Sequence, residues 1–296
     1  MNQAIKARRR FVILMLFPAT ALLAGLTIFP FVGSVAMSLT NYSLVTPDAL
    51  AFKGLSNYTD LLQSREFWSA LKVTGLFTIL AVGIELFLGV GIALLLHHER
   101  RGVPTLRLIY LIPMAVTPVA AVFIFRMMFN PSLGVFNYFL TSLGFAPVDW
   151  LGTPGMALFS LLLVDAWQWT PFILLIAAGG LAAMDEEPLE AARMDGAGPM
   201  ALVFHHMLPM LMPYLAIALV FRAIDAFKTF DIIFVLTGGG PGDATRTLNL
   251  LAYKQGLEFL SMGYAATIAI VMLIITIVVA QTFLRKMNLF QPKASL

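Results

Sequence analysis

The chain has 296 residues, of which 59% are hydrophobic and only 12% are charged, whereas an ordinary soluble domain carries about 25% charged residues. So few polar groups cannot cover the surface of a soluble protein of this length, and the composition predicts an all-α polytopic membrane protein. The net charge of +3 is too small for nucleic-acid binding, which needs a clustered basic face, and the absence of cysteine excludes a disulfide framework or a thiolate metal site.

Six apolar segments are long enough to cross a bilayer, which takes roughly 20 residues of helix. The first follows the basic stretch Lys6–Arg10 and is too long for the apolar core of a signal peptide, so we interpret it as a retained span. The third contains Pro113 and Pro118, which membrane helices tolerate when neighbours take up the freed carbonyls. The predicted spans are 11–36, 72–97, 106–129, 156–183, 213–236 and 264–284.

The basic residues between the spans predict the orientation, because positive charge favours the cytoplasmic side. With the N-terminus inside, the inner segments hold the larger share of Lys and Arg and the outer segments the smaller share. The inner set is Lys6, Arg8, Arg9, Arg10, Arg100, Arg101, Arg107, Arg193, Arg285, Lys286 and Lys293, and the outer set is Lys53, Arg65, Lys72, Arg246 and Lys254. We therefore predict that both termini are cytoplasmic.

This topology predicts three regions along the chain. Residues 1–71 would form an N-terminal tail, the first transmembrane helix and an outer segment. Residues 72–284 would form the core, with a long inner segment between the fourth and fifth spans. Residues 285–296 would form a cytoplasmic tail.

That long inner segment predicts an elbow of two helices over 185–209. Pro188 is suited to the first turn of a helix, where its missing N–H costs nothing. The helix should run to about Asp195, and Gly196 is a natural left-handed stop. Pro199 would start a second helix that ends near Pro209. The small residues of the bend (Ala191, Ala192, Gly196 and Ala197) would let another protein approach the backbone closely, although a plain amphipathic connector on the membrane has the same composition.

The stretch EAARMDGAGPMALVFHHMLPMLMP, which begins at Glu190, resembles the EAA motif of ABC importer permeases. The resemblance implies that the elbow is the coupling helix that docks on a separate ATP-binding subunit. The coupling residues that it implies are Glu190, Ala191, Ala192, Asp195, Gly196 and Ala197.

A second stretch, from Phe221 to Leu257, resembles the sugar permeases of the maltose and glycerol-phosphate uptake systems. The resemblance implies the type I importer fold with six transmembrane helices in a bacterial inner membrane. It also implies a second permease subunit (a heterodimer), two copies of an ATP-binding subunit and an extracytoplasmic solute-binding protein. This chain would hold no cofactor and no catalytic residue, since ATP and Mg would be bound by the partner ATPase.

Inserting an ionisable residue into a membrane span costs about 2.5–3.5 kcal/mol on insertion scales, so such residues should face a cavity or a partner. In the fifth predicted span they recur at three-residue steps, which place them on one side of a helix. They would form two ion pairs, internal or between subunits, or line the transport path, and the two interpretations are compatible. These residues are Arg222, Asp225, Lys228 and Asp231.

The fourth span carries a polar and aromatic cluster suited to sugars, which bind by hydrogen bonds to hydroxyls and by stacking on aromatic rings. Ordinary packing with interfacial anchoring of tryptophan is the alternative. The cluster is Asp165, Trp167, Gln168 and Trp169. Glu85 in the second span is open in role, and a contact between helices is one possibility.

A glycine-rich loop follows the fifth span, at Gly238, Gly239, Gly240 and Pro241. No Gly-Lys-Ser/Thr follows it, as a phosphate-binding P-loop would require, and we predict a tight turn that lets the outer end of the fifth span approach the binding protein or the pore. Adjacent His205 and His206 point to different helix faces, so no metal site is predicted. Two other classes stay open here: a transporter driven by an ion gradient, and a membrane scaffold protein.

Overall fold

The computed structural model describes residues 2–97 and 103–287. Arg100, Arg101 and Lys293, which the orientation prediction uses, and residues 288–296 of the predicted tail lie outside the described residues. The described residues divide into two compact units. One contains the chain up to Ser64 together with Ala252–Leu273, and the other contains Arg65–Leu251 together with the residues from Ile274 onward.

The described chain is helical almost throughout, and its strand-like pairing is a single antiparallel bridge between Thr40 and Phe52. In chain order the helices are α1 (Asn2–Ser38), a 3₁₀ turn (Pro47–Ala49), α2 (Ser56–Gln63), α3 (Arg65–His97), α4 (Val103–Ala115), α5 (Pro118–Met128), α6 (Val135–Ser142), α7 (Pro154–Ala182), α8 (Glu187–Met194), α9 (Pro199–Ala201), a π-helical stretch (Leu202–Met207), α10 (Leu208–Phe227), α11 (Asp231–Leu236), α12 (Leu248–Tyr253), a second π-helical stretch (Lys254–Glu258) and α13 (Met262–Met287).

Among the described residues, five helices are long and apolar enough to cross a membrane, and a bent pair brings the number to six if the pair is counted as one span. They cover the predicted first, second, fourth, fifth and sixth spans, which confirms the all-α polytopic prediction. Their bounds are Arg10–Ser38, Arg65–His97, Pro154–Ala182, Pro199–Phe227 and Met262–Phe283. The second span begins at Arg65 rather than at residue 72, so the last turns of the predicted outer segment are helical.

The third predicted span is not one straight helix. Ile109–Ala115 and Pro118–Met128 meet at a bend of 104°. Pro113 stays inside α4, whereas Pro118 starts α5. Proline has no N–H to donate and disfavours helical geometry in the residue before it, so the chain turns at Thr117. The carbonyl of Val116 instead accepts a hydrogen bond from Gln168 Nε2 (3.0 Å).

The fifth span differs from its prediction at both ends. Helical backbone begins at Pro199 and continues through the π-helical stretch into α10, so the predicted second elbow helix does not end near Pro209 but becomes the span itself. At the other end the helix stops at Phe227 instead of residue 236. Lys228 caps it, and the Lys228 carbonyl, left free by the helix end, accepts a hydrogen bond from Asn249 Nδ2 (2.6 Å).

The first unit is organised around the end of α1. The backbone carbonyl of Ser38 accepts hydrogen bonds from Asn57 Nδ2 (2.9 Å) and Thr267 Oγ1 (3.2 Å). Gly263 lies so close to the chain that an added Cβ would come within 2.3 Å of the Thr40 carbonyl oxygen. The start of α13 therefore packs directly on the turn that follows α1.

The second unit has a core of three helices, α3, α7 and α10. Two glycines permit their close approach, since a Cβ at Gly89 would lie 2.7 Å from Ile173 and one at Gly180 would lie 2.6 Å from Leu211. Small residues at helix contacts are typical of membrane packing, where dispersion rather than hydrophobic exclusion joins the helices. Leu211, which is 0% exposed, belongs to a cluster that also contains Leu174 and Ala177.

Candidate functional site

A buried ion cluster lies where α3, α7 and α10 meet. Arg222 of α10 donates from Nε to Glu85 Oε2 (2.6 Å) and from Nη2 to Glu85 Oε1 (2.8 Å). The same Nη2 donates to Asp165 Oδ2 of α7, and Nη1 donates to Asp225 Oδ2 (3.0 Å) one turn further along α10. Arg222, Glu85 and Asp165 are at most 1% exposed, whereas the Asp225 side chain is 47% exposed. One guanidinium therefore joins three spans and reaches one accessible carboxylate.

The guanidinium geometry explains why arginine occupies this position. Its planar fork holds five N–H donors and pairs with a carboxylate through two parallel bonds, as it does with Glu85. A buried charge is tolerated only when it is paired and hydrogen-bonded, and removal of one partner of such a pair costs about 3–5 kcal/mol. The cluster therefore links the three helices through paired charges that are costly to separate.

One aromatic side chain packs against the ion cluster. The guanidinium carbon of Arg222 lies over the ring of Trp169, 5.0 Å from its centroid, which is within cation–π range. Trp167, two residues earlier, is 39% exposed. Its ring packs edge to face against the ring of Phe125, with the two ring centroids 5.2 Å apart. The structure thus places Trp169 with the ions and Trp167 with the aromatic side chains of α5.

Three buried polar atoms of α7 have no hydrogen-bond partner within the described part of the chain. They are Asp165 Oδ1, Gln168 Oε1 and Thr170 Oγ1. The other end of the Gln168 amide, Nε2, donates to the Val116 carbonyl at the bend between α4 and α5. These three atoms of α7 can therefore still form hydrogen bonds next to the ion cluster.

One of the two ion pairs predicted along the fifth span forms within the described chain. Arg222 and Asp225 pair as the three-residue spacing predicts. Among the described residues no ion pair joins Lys228 to Asp231, because α10 ends at Phe227 and Asp231 begins the separate helix α11. Both side chains are exposed. The four ionisable residues therefore do not share one helix face.

The elbow forms as predicted around Gly196. Helix α8 ends at Met194, and Gly196 has a φ of +85°. The amide of Ala197 donates to the Ala192 carbonyl (2.9 Å), and the amide of Gly196 donates to the Arg193 carbonyl (3.0 Å). These two bonds are the Schellman motif, in which a left-handed glycine satisfies the last carbonyls of a helix.

Two side chains of α8 anchor the elbow. Leu189 is 5% exposed and Ala192 is 6% exposed, and both are buried. Leu189 packs in the apolar cluster of Leu174, Ala177 and Leu211. Ala192 therefore does not belong to the bare outer surface that the sequence predicts.

The outer face of the elbow is exposed and partly apolar. Glu190, Ala191, Asp195 and Gly196 are exposed, and Met194 is 89% exposed. An added Cβ at Gly196 would meet no described atom within 4 Å. The face thus combines a large apolar side chain with open backbone.

The glycine loop is a tightly bonded turn after α11. Gly238 and Gly239 have φ values of +59° and +92°, and the Gly240–Pro241 bond is cis. Thr245, which is 0% exposed, donates to the Gly240 carbonyl (2.7 Å) and bonds the hydroxyl of Thr237 (2.8 Å). An added Cβ at Gly239 would lie 2.9 Å from Leu250. The loop is therefore held in shape by its own threonines.

Sequence reasoning located Glu85 without its partner. A lone acidic residue in an apolar span indicates that it contacts a polar partner. Because Glu85 and Arg222 are 137 residues apart along the chain, the sequence does not indicate which basic residue that partner is. The described residues contain no cluster of His, Cys, Asp or Glu arranged to hold a metal ion.

Comparison with known proteins identifies the family of the chain. A sequence model of the family described as "Binding-protein-dependent transport system inner membrane component" matches residues 85–287. The chain is 41% identical to a probable ABC transporter permease (y4oQ) of Sinorhizobium fredii, over 90% of this chain and 87% of that protein. It is 39% identical to the trehalose/maltose transport system permease MalF of Thermococcus litoralis, over 89% of each chain.

Solved structures show the same fold. A chain of a bacterial ABC transporter that imports the polysaccharide alginate matches with a TM-score of 0.84, 17% identity and coverage of 99% of this chain and 100% of that chain. A chain of a bacterial alginate ABC transporter, solved with its alginate-bound periplasmic protein, matches with a TM-score of 0.82, 20% identity and coverage of 95% and 94%. From the family match, the sequence relatives and the fold together, this chain belongs to the inner membrane permeases of binding-protein-dependent ABC importers.

Proposed function

We propose that this chain forms half of the translocation path of an importer for a sugar or a related polyhydroxylated solute. The observation that carries the proposal is the combination of a half-exposed carboxylate, Asp225, and an indole ring, Trp169, around one buried arginine. A carboxylate accepts hydrogen bonds from hydroxyls, and an aromatic ring packs against the C–H face of a sugar. The relatives named for trehalose/maltose and for sulfoquinovosyl glycerol transport fit this chemistry.

The substrate path is built from the residues around this pair. Asp165 and Arg222 supply its buried charge, and Gln168 holds the bend of the neighbouring span. Trp167, Lys228 and Asp231 lie at more exposed positions and line its approaches.

The elbow couples the path to a separate ATPase. Glu190, Ala191, Asp195, Gly196 and Ala197 form the docking surface, Met194 fills an apolar pocket of the partner, and Ala192 anchors the elbow from behind. ATP and Mg bind to the partner, and this chain contributes no catalytic residue. Because α8 sits on the three-helix core through Leu189, a movement of the ATPase is transmitted to the spans that hold Arg222.

The elbow and the glycine loop lie on opposite sides of the membrane, because α10 crosses between them. With the elbow cytoplasmic, both termini are cytoplasmic and the turn at Gly238, Gly239, Gly240 and Pro241 faces the binding protein. The complete importer contains a second permease as a heterodimeric partner, two ATPase copies and the binding protein.

Reconstitution of the purified importer in proteoliposomes tests the proposal. We expect uptake of radiolabelled trehalose or maltose that requires both MgATP and the binding protein. Uptake that continues without ATP and stops with an ionophore would contradict the coupling. A failure of wild-type protein to take up these two sugars or any of a panel of other sugars, polyols and glycosides, while its binding protein stimulates ATP hydrolysis, would contradict the substrate class.

A further inference from the structure

We infer that Glu85 is a positioning residue for the substrate path, although no substrate reaches it. Glu85 holds Arg222, and Arg222 in turn fixes the Asp225 carboxylate and the Trp169 ring. The inference rests on the proposed function, since it assigns Asp225 and Trp169 to the substrate.

The first link is the rigidity of the Glu85–Arg222 contact. Both Glu85 oxygens accept bonds from Arg222, at 2.6 Å and 2.8 Å, and both side chains are at most 1% exposed. Two parallel bonds fix the plane of the guanidinium as well as its position. Asp165 bonds the same guanidinium at Nη2, so two helices determine its orientation.

The second link is the outward contact with Asp225. Arg222 Nη1 donates to Asp225 Oδ2 at 3.0 Å, and the Asp225 side chain is 47% exposed. No described residue bonds its other oxygen, Oδ1. A fixed guanidinium therefore holds one carboxylate oxygen and leaves the second to accept a hydrogen bond from a solute hydroxyl.

The third link is the stacking of Arg222 on Trp169. The guanidinium covers one face of the indole at 5.0 Å, and a ring has two faces. Because the Glu85 bonds set the plane of the guanidinium, they also set the face of Trp169 that it covers. Loss of the Glu85 charge would let both outward groups turn away from the path.

The test compares Glu85→Gln with wild type in the complete importer with its binding protein and MgATP. The readout is the number of trehalose or maltose molecules taken up per ATP hydrolysed, a ratio that does not depend on how much complex assembles. We expect the ratio to fall between about tenfold and a hundredfold, as for other small misplacements of a binding group. A fall in uptake and ATP hydrolysis by the same factor would overturn the inference, because it would show a purely structural role.

A double variant sharpens the test. If Glu85 acts through Asp225, then Glu85→Gln combined with Asp225→Asn lowers the ratio no further than Asp225→Asn alone, whereas multiplied effects would overturn the inference. Phe77→Leu is the matched structural control. Phe77 lies on the same helix as Glu85 and is 1% exposed, and it has no part in the substrate path or the elbow. This variant should therefore lower the yield of complex and leave the ratio unchanged. If wild-type protein takes up neither sugar, the ratio is measured with whichever sugar, polyol or glycoside it does take up, and absence of uptake of all of them would instead overturn the proposed substrate class.

Discussion

The ion cluster around Arg222 and the elbow around Gly196 are held in shape by opposite kinds of contact. Arg222 is held by charged side chains from three helices and has almost no exposure. Gly196 is held by backbone hydrogen bonds alone, and its surroundings are open. A substitution in the cluster should therefore change stability first, whereas a substitution on the elbow face should change partner binding and leave the fold intact.

The largest effect is expected for Arg222→Leu. It leaves Glu85 and Asp165 buried without their counter-ion, at a cost of about 3–5 kcal/mol. We expect the purified chain to lose most of its folded yield and its thermal transition to drop, as measured by size-exclusion chromatography and scanning fluorimetry. Arg126→Leu, which loses one bond to the Val235 carbonyl (3.0 Å), is the control and should cost much less. Wild-type stability of Arg222→Leu would contradict the structural role of the cluster.

Two positions on α8 separate anchoring from docking. Leu189→Ala removes a side chain that is 5% exposed and should cost about 2–5 kcal/mol of unfolding free energy. Met194→Ala removes one that is 89% exposed and should change stability by no more than about 0.5 kcal/mol. If Met194 fills a pocket on the ATPase, its removal should weaken ATPase binding by about tenfold or more, as measured by surface plasmon resonance. Unchanged ATPase affinity of Met194→Ala would refute the docking surface.

Gly196→Asn asks whether the bend must lack a side chain. Asparagine tolerates the left-handed conformation, and the space is open, so the fold should lose no more than about 1 kcal/mol. The ATPase should bind the elbow more weakly. We therefore expect that the rate of ATP hydrolysis stimulated by substrate-loaded binding protein falls about tenfold. Gly198→Ala is the control, because Gly198 has equal space and a φ of −71°. Coupled hydrolysis that survives Gly196→Asn would remove Gly196 from the interface.

The two regions also differ in how far sequence alone reveals them. The bend of the elbow could be predicted to within a residue, because proline, glycine and their spacing act locally through backbone geometry, whereas the continuation of its second helix into the fifth span could not. The ion cluster could be predicted only in part. Asp225 follows from its spacing to Arg222, but Glu85 is paired across the fold, and nothing near it in sequence specifies the partner. The end of α10 at Phe227 cannot be predicted from the local sequence for the same reason, since the Asn249 amide that bonds the Lys228 carbonyl comes from a distant segment.

Asn249→Leu gives the smallest expected effect and tests this end of α10. The substitution removes the 2.6 Å bond to the Lys228 carbonyl and should cost about 1 kcal/mol, as for a typical intramolecular hydrogen bond. Thr247→Val is a useful comparison, because Thr247 is 2% exposed and its hydroxyl accepts a long bond of 3.5 Å from the Leu250 amide. Thermal unfolding of the two variants should therefore rank Asn249→Leu as the less stable. If the end of α10 is set by Asn249, amide hydrogen exchange at Lys228 and Thr229 should also quicken in that variant alone, because the release of the carbonyl lets the last turn fray.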